Sequence, residues 1–146
     1  MQPQLLCVLT GCGSFLCAFQ WLYIDTFIGY EIILVGITTC AQHLTEKIDK
    51  FHSIQSNIFG LNSNEWVWID RIFAINLALS LRNYIFRLQL YLVDYIIISS
   101  ALSLLYICDS SQLDKWPLLY IITHSIWHFL IFLFIWRLGT KITYKM

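Results

Sequence analysis

Residues 117–136 include no lysine, arginine, aspartate or glutamate, yet they hold the string His124-Ser-Ile-Trp-His128. A run of that length is enough to cross a bilayer as one helix. In lipid only helices and closed barrels satisfy every backbone N–H and C=O, so this segment commits its neighbours to the same solution. Histidines four apart stand on one face of a helix, one turn above the other. Ionisable side chains inside a span are costly and point to function. Two imidazoles on one face, in a dry place, suit a metal ion.

The rest of the chain fits a bilayer. Hydrophobic residues make up 58% of it, aromatic residues 16% and charged residues 12%, against about 25% charged in an ordinary soluble domain. The 146 residues cannot hide that much apolar surface in a soluble core. The formal net charge is zero, which offers no basic face to nucleic acid. The five cysteines, Cys7, Cys12, Cys17, Cys40 and Cys108, have no zinc-ribbon or thioredoxin spacing. Four of them fall in or beside apolar runs, where they read as small apolar side chains.

The expected architecture is all-α: a single polytopic transmembrane helix bundle over residues 1–146 with about five spans. The first covers residues 5–24 and lacks the positive leader and cleavage site of a signal peptide. Asp25 and Thr26 make a short turn into the second, residues 27–43, which has Glu31 near its start. A mixed-charge loop follows over residues 44–65, where His52 reads as a solvated side chain. The third span is short, residues 66–81, with Asp70 near its beginning. Arg82 and Arg87 are expected to bracket a tight turn into the fourth, residues 88–107. Asp94 within it is expected to snorkel to the interface or to contact another helix. After the loop at 109–115, Pro117 sits where a first-turn proline is tolerated. The fifth span ends at Arg137 and leaves a basic tail with Lys141 and Lys145. Trp66, Trp68, Trp116 and Trp136 flank spans as interfacial aromatics do; Trp127 sits within the histidine string, for packing or for substrate contact.

Five spans place Arg82, Arg87, Arg137, Lys141 and Lys145 on one side, and Lys47, Lys50, Arg71 and Lys115 on the other. The positive-inside rule then assigns a cytosolic carboxyl tail, by a margin of one charge. His43, Asp70, His124 and His128 all fall in one leaflet, whichever way the chain is inserted. His43 ends its span toward the long loop, Asp70 starts the span that leaves that loop, and the histidine pair lies in the first half of a span starting on the same side.

Zinc suits such a set. Catalytic zinc sites commonly use three protein ligands and a water, and the metal lowers the pKa of that water to about 7. His43, His124 and His128 would be the ligands. Asp70 is placed to accept the water proton. Thr39, one turn before His43, would donate to a developing oxyanion or orient a ligand.

Thr39-x-x-x-His43, a carboxylate opening the next span and His124-x-x-x-His128 in the last span resemble the CREST superfamily. That group holds alkaline ceramidases, progestin and adipoQ receptors and GPI-lipid remodelling proteins. The string Thr123-His-Ser-Ile-Trp-His128 is most similar to its myomaker and post-GPI-attachment phospholipase branch. The resemblance implies a seven-helix hydrolase fold with zinc held by three histidines, here His43, His124 and His128. It implies that Asp70 assists the water and that Thr39 stands where the family has serine. This chain departs from the pattern in having about five spans and a long interval between His43 and Asp70.

Two function classes follow. One is a zinc-dependent intramembrane hydrolase that cleaves an amide or ester bond of a membrane lipid. The other is a non-catalytic, myomaker-type membrane protein that keeps zinc for structure and serves membrane remodelling, fusion or signalling. Haem held between facing helices is a third possibility, but histidines four apart on one helix suit a single metal ion better.

Overall fold

The computed structural model describes residues 4–46, 53–108 and 116–145. All its regular structure is helical: α1 (Gln4–Gly11), α2 (Gly13–Ile24), α3 (Thr26–Thr45), α4 (Ser63–Arg87), α5 (Leu92–Cys108) and α6 (Pro117–Thr143). His52 lies outside the described residues, as do Lys47, Lys50 and Lys115.

Local chemistry sets these boundaries. Gly11 and Gly13 flank Cys12, two poor helix formers in a row of three, and the first span breaks there into α1 and α2. Asp25 ends α2 in an extended conformation, and its Oδ1 accepts from the N–H groups of Phe27 and Ile28. That cap satisfies donors otherwise left orphaned at the start of α3. Asn62 and Glu65 form a reciprocal capping box at the start of α4. Pro117 occupies the first turn of α6, where its missing N–H costs no helical bond.

Three expected boundaries are corrected. The third helix is not short: α4 runs 25 residues to Arg87, so Arg82 is inside a helix and the turn falls after it. The apolar pattern weakens beyond Leu81, but a backbone already in helical register continues at little cost while its face is packed. The last helix likewise continues past Arg137 to Thr143, so Lys141 is helical rather than part of a loose tail. The first span is two helices and not one.

Three segments are long and apolar enough to cross a membrane: Gln4–Ile24, Thr26–Thr45 and Pro117–Thr143. Of the other two rods, α5 is apolar but has 17 residues. The longer α4 carries Glu65, Asp70, Arg71, Arg82 and Arg87. The outward faces are apolar, with Leu16, Phe19, Phe27, Leu118 and Phe129 all exposed. Apolar surface on that scale requires lipid or a partner to cover it. The chain is therefore membrane-embedded.

Packing gathers the main apolar cluster toward one end of the bundle and the histidines toward the other. The long helices α3 and α6 both take contacts from α1 and α2, while α4 packs chiefly on α3 and α5 on α6. Trp21, Ile28, Ile32, Leu81, Ile135 and Leu138 are buried together near the α2–α3 turn and the last third of α6. There Trp21 Nε1–H donates to the Ile135 carbonyl at 3.1 Å, and Tyr84 O–H donates to Asp25 Oδ2 at 2.7 Å. Toward the other end, Gly11 brings α1 against α3: a Cβ at that position would lie 3.0 Å from Thr39 Cγ2. This close approach helps seat Thr39 in the polar end of the bundle.

Candidate metal centre

Two periodic faces meet to make the site. On α6, Tyr120, His124, His128 and Phe132 recur every fourth residue and form one stripe. On α3, Val35, Thr39 and His43 do the same. His43 is fully buried, His128 nearly so, and His124 is 8% exposed. One nitrogen from each of the three rings falls in a group whose members all lie within 4.8 Å of one another. The closest pair is His43 Nε2 and His128 Nε2, 3.1 Å apart. Two nitrogens bound tetrahedrally at zinc distances stand about 3.3 Å apart, so this pair is already at ligand spacing. Nδ1 of His124 and Nδ1 of His128 are buried without a hydrogen-bond partner. Buried imidazoles with unmet nitrogens are a donor set that suits a borderline cation such as zinc.

The tautomer of His43 is set from outside the cluster. Its Nδ1–H donates to Glu46 Oε2 at 2.8 Å, and Tyr120 O–H donates to Glu46 Oε1 at 2.8 Å. With the carboxylate as acceptor, this hydrogen bond assigns the proton to Nδ1 and turns the Nε2 lone pair toward the other two histidines. A carboxylate behind a ligating histidine fixes ring orientation and raises ligand basicity. Glu46 is three residues after His43 and Tyr120 four before His124, so helical spacing alone pointed to both; the sequence reading did not single out either one.

Asp70 lies 8% exposed on α4, facing α3. Its Oδ1 accepts from Thr39 Oγ1–H at 2.7 Å and from Thr38 Oγ1–H at 2.8 Å. Thr38 is a further residue that the sequence reading passed over. Thr39 gives its one hydroxyl hydrogen to Asp70, so in this structure it orients the carboxylate. Asp70, Thr39, Trp127 and His128 line one cavity of about 160 Å³, bounded elsewhere by apolar side chains of α3, α4, α5 and α6. Asp70 and Trp127 also line a second cavity of about 210 Å³, together with His124, Glu46 and Tyr120. Asp70 thus shares one cavity with His128 and the other with His124. The Trp127 ring centroid is 5.1 Å from that of His124 and 4.4 Å from that of His128, so it packs on the histidines.

Asp94 is far along the fold from this cluster and makes the interhelical contact, to α6: its carboxylate pairs with Arg137 and Lys141. None of the five cysteines forms a disulfide among the described residues.

Fold and site together define a helical membrane protein with a buried three-histidine group able to hold a metal ion. No protein-family model, curated protein or solved structure matches the chain.

Proposed function

We propose that this chain is a five-span membrane protein that holds zinc at His43, His124 and His128 and hydrolyses an amide or ester bond of a membrane lipid. The observation that carries the reading is the shared cavity: His128, Asp70 and Thr39 border one space whose remaining walls are apolar. The motif resemblance to the CREST superfamily supports it. In this reading α4 and α5 also cross the bilayer, and the more basic side, with Arg137 and Lys141, faces the cytosol.

Bound zinc would supply Lewis acidity toward a carbonyl oxygen and toward water. The chain supplies the rest. Glu46 and Tyr120 hold the His43 ring with its lone pair inward. Thr39, together with a Thr38 hydroxyl shared with the Val35 carbonyl, holds Asp70 Oδ1, so Oδ2 would be the oxygen that takes a proton from a water in the cavity. The apolar walls contributed by Leu77, Ala78 and Ile98, between α4 and α5, would take a hydrocarbon chain and keep bulk water away. A lipid could reach the site from within its leaflet.

The test is hydrolysis of a fluorescent ceramide and of a fluorescent phosphatidylcholine by the purified, zinc-loaded protein, with Asp70→Asn as the variant. Release of fatty acid by the parent, lost by at least about a hundredfold in a variant that still binds zinc, is the expected result. No turnover of either lipid, with one zinc bound, would instead leave a structural zinc site in a protein of membrane remodelling.

A further inference from the structure

We propose that a second site, at the opposite end of α5 and α6, binds the phosphate of an anionic phospholipid headgroup. A cavity of about 600 Å³ lies there, lined by Arg137, Lys141, Lys145, Tyr91, Trp136 and Tyr144. Cavities that enclose small ligands fall in the range of about 300–1,000 Å³.

The charges are arranged for an incoming anion. Asp94 is 1% exposed and lies beneath the cavity rather than in its lining. It engages Arg137 through Nε at 2.8 Å and Lys141 through Nζ. Pairing through Nε leaves the outer nitrogens of the guanidinium for a second, planar or tetrahedral anion. Lys141 Nζ is also held by the Gln89 carbonyl at 3.3 Å and lies 3.9 Å from the centroid of the Tyr91 ring. With Lys145 the cavity lining carries three cations, of which two pair with the one buried carboxylate, a local balance of 3 − 1 = +2. Two of the cations are fixed before any ligand arrives, so little side-chain entropy is lost on binding.

Depth and lining select a lipid over a soluble anion. Arg137 follows His124 by thirteen residues, about 20 Å along a helix. It therefore lies near the far boundary of a hydrocarbon core about 30 Å thick. Trp136, Tyr91 and Tyr144 supply the amphipathic rings found at that level. Leu88 and Leu133 complete the wall, giving the glycerol and upper acyl carbons an apolar surface next to the cations.

The experiment uses the full chain in detergent micelles, with phosphatidic acid, phosphatidylcholine or inorganic phosphate added and bound species counted by native mass spectrometry. Phosphatidic acid is expected to bind at least about tenfold more tightly than phosphatidylcholine. Lys145→Gln should weaken it about fivefold, the worth of one interfacial charge. Lys141→Gln with Lys145→Gln should weaken it further. Millimolar inorganic phosphate should leave the lipid bound. Equal binding of both lipids, or full affinity in Lys145→Gln, would overturn the proposal; that exposed side chain is outside the Asp94 pairing, so its loss does not threaten the fold. Displacement of phosphatidic acid by inorganic phosphate would overturn the lipid assignment and leave a site for soluble phosphate.

Discussion

His43 Nε2 lies 3.1 Å from His128 Nε2 although the two residues are 85 positions apart. With the His43 proton on Nδ1, His128 must donate through Nε2 when no cation is present. His43, His128 and His124 would hold a metal ion in place of that hydrogen bond, and the His128 proton would then move from Nε2 to its unpartnered Nδ1.

Purified in detergent without chelators, the protein should carry one zinc per chain. His124→Ala and His128→Ala should each remove it, read by inductively coupled plasma mass spectrometry. A variant that kept full zinc after loss of either ring would place the metal elsewhere.

The Glu46–Tyr120 pair should matter to the metal and not to the fold. Glu46→Gln keeps the shape but no longer imposes the tautomer of His43. Its zinc affinity should fall about 10–100-fold, the usual effect of losing such a partner. Tyr120→Phe removes one hydrogen bond to Glu46 and should cost less. Competition with a fluorescent chelator measures both, and equal affinity across the three proteins would remove Glu46 from the site.

Thr38 and Thr39 are tied to Asp70 by hydroxyls that valine lacks at nearly the same volume. Thr39→Val should destabilise the protein by about 1–3 kcal/mol, because a buried carboxylate oxygen loses a donor. The Thr38→Val, Thr39→Val double variant should fall further, and Thr39→Ser should recover most of the loss. Thermal unfolding in detergent orders the four proteins. If Thr39→Ser is no better than Thr39→Val, the methyl group and not the hydroxyl matters at that position.

The tight turn between α2 and α3 depends on Gly29. A Cβ there would lie 2.7 Å from the Leu22 backbone nitrogen and 2.8 Å from its Cα, and backbone cannot yield as a side-chain tip can. Gly29→Ala should therefore lower stability by about 1–3 kcal/mol. Because α3 carries Thr39 and His43, zinc binding should weaken in the same variant. An unchanged melting temperature would show that the turn relaxes freely.

Much of the local structure was legible in the chain. The uncharged run at 117–136 implied a membrane helix, and the four-residue spacing put His124 and His128 on one face, because helical periodicity is a property of sequence alone. Asp25 and Pro117 marked helix boundaries through their own local chemistry, whereas the Asn62 cap went unread inside the expected loop. Where boundaries failed, at Arg82 and beyond Arg137, packing prolonged helices that local hydropathy would have ended.

The tertiary structure alone decided which groups touch. That His43 meets His128, that Asp70 takes two threonine hydroxyls, and that Glu46 backs His43 while bonding Tyr120 all depend on the rotation and approach of α3, α4 and α6. Spacing along a single helix says nothing about that geometry. Asp94 makes the same point: sequence left it between snorkelling and an interhelical contact, and the placement of α6 beside α5 gave it Arg137 and Lys141. Periodicity determines the face a residue occupies; only packing determines what that face meets.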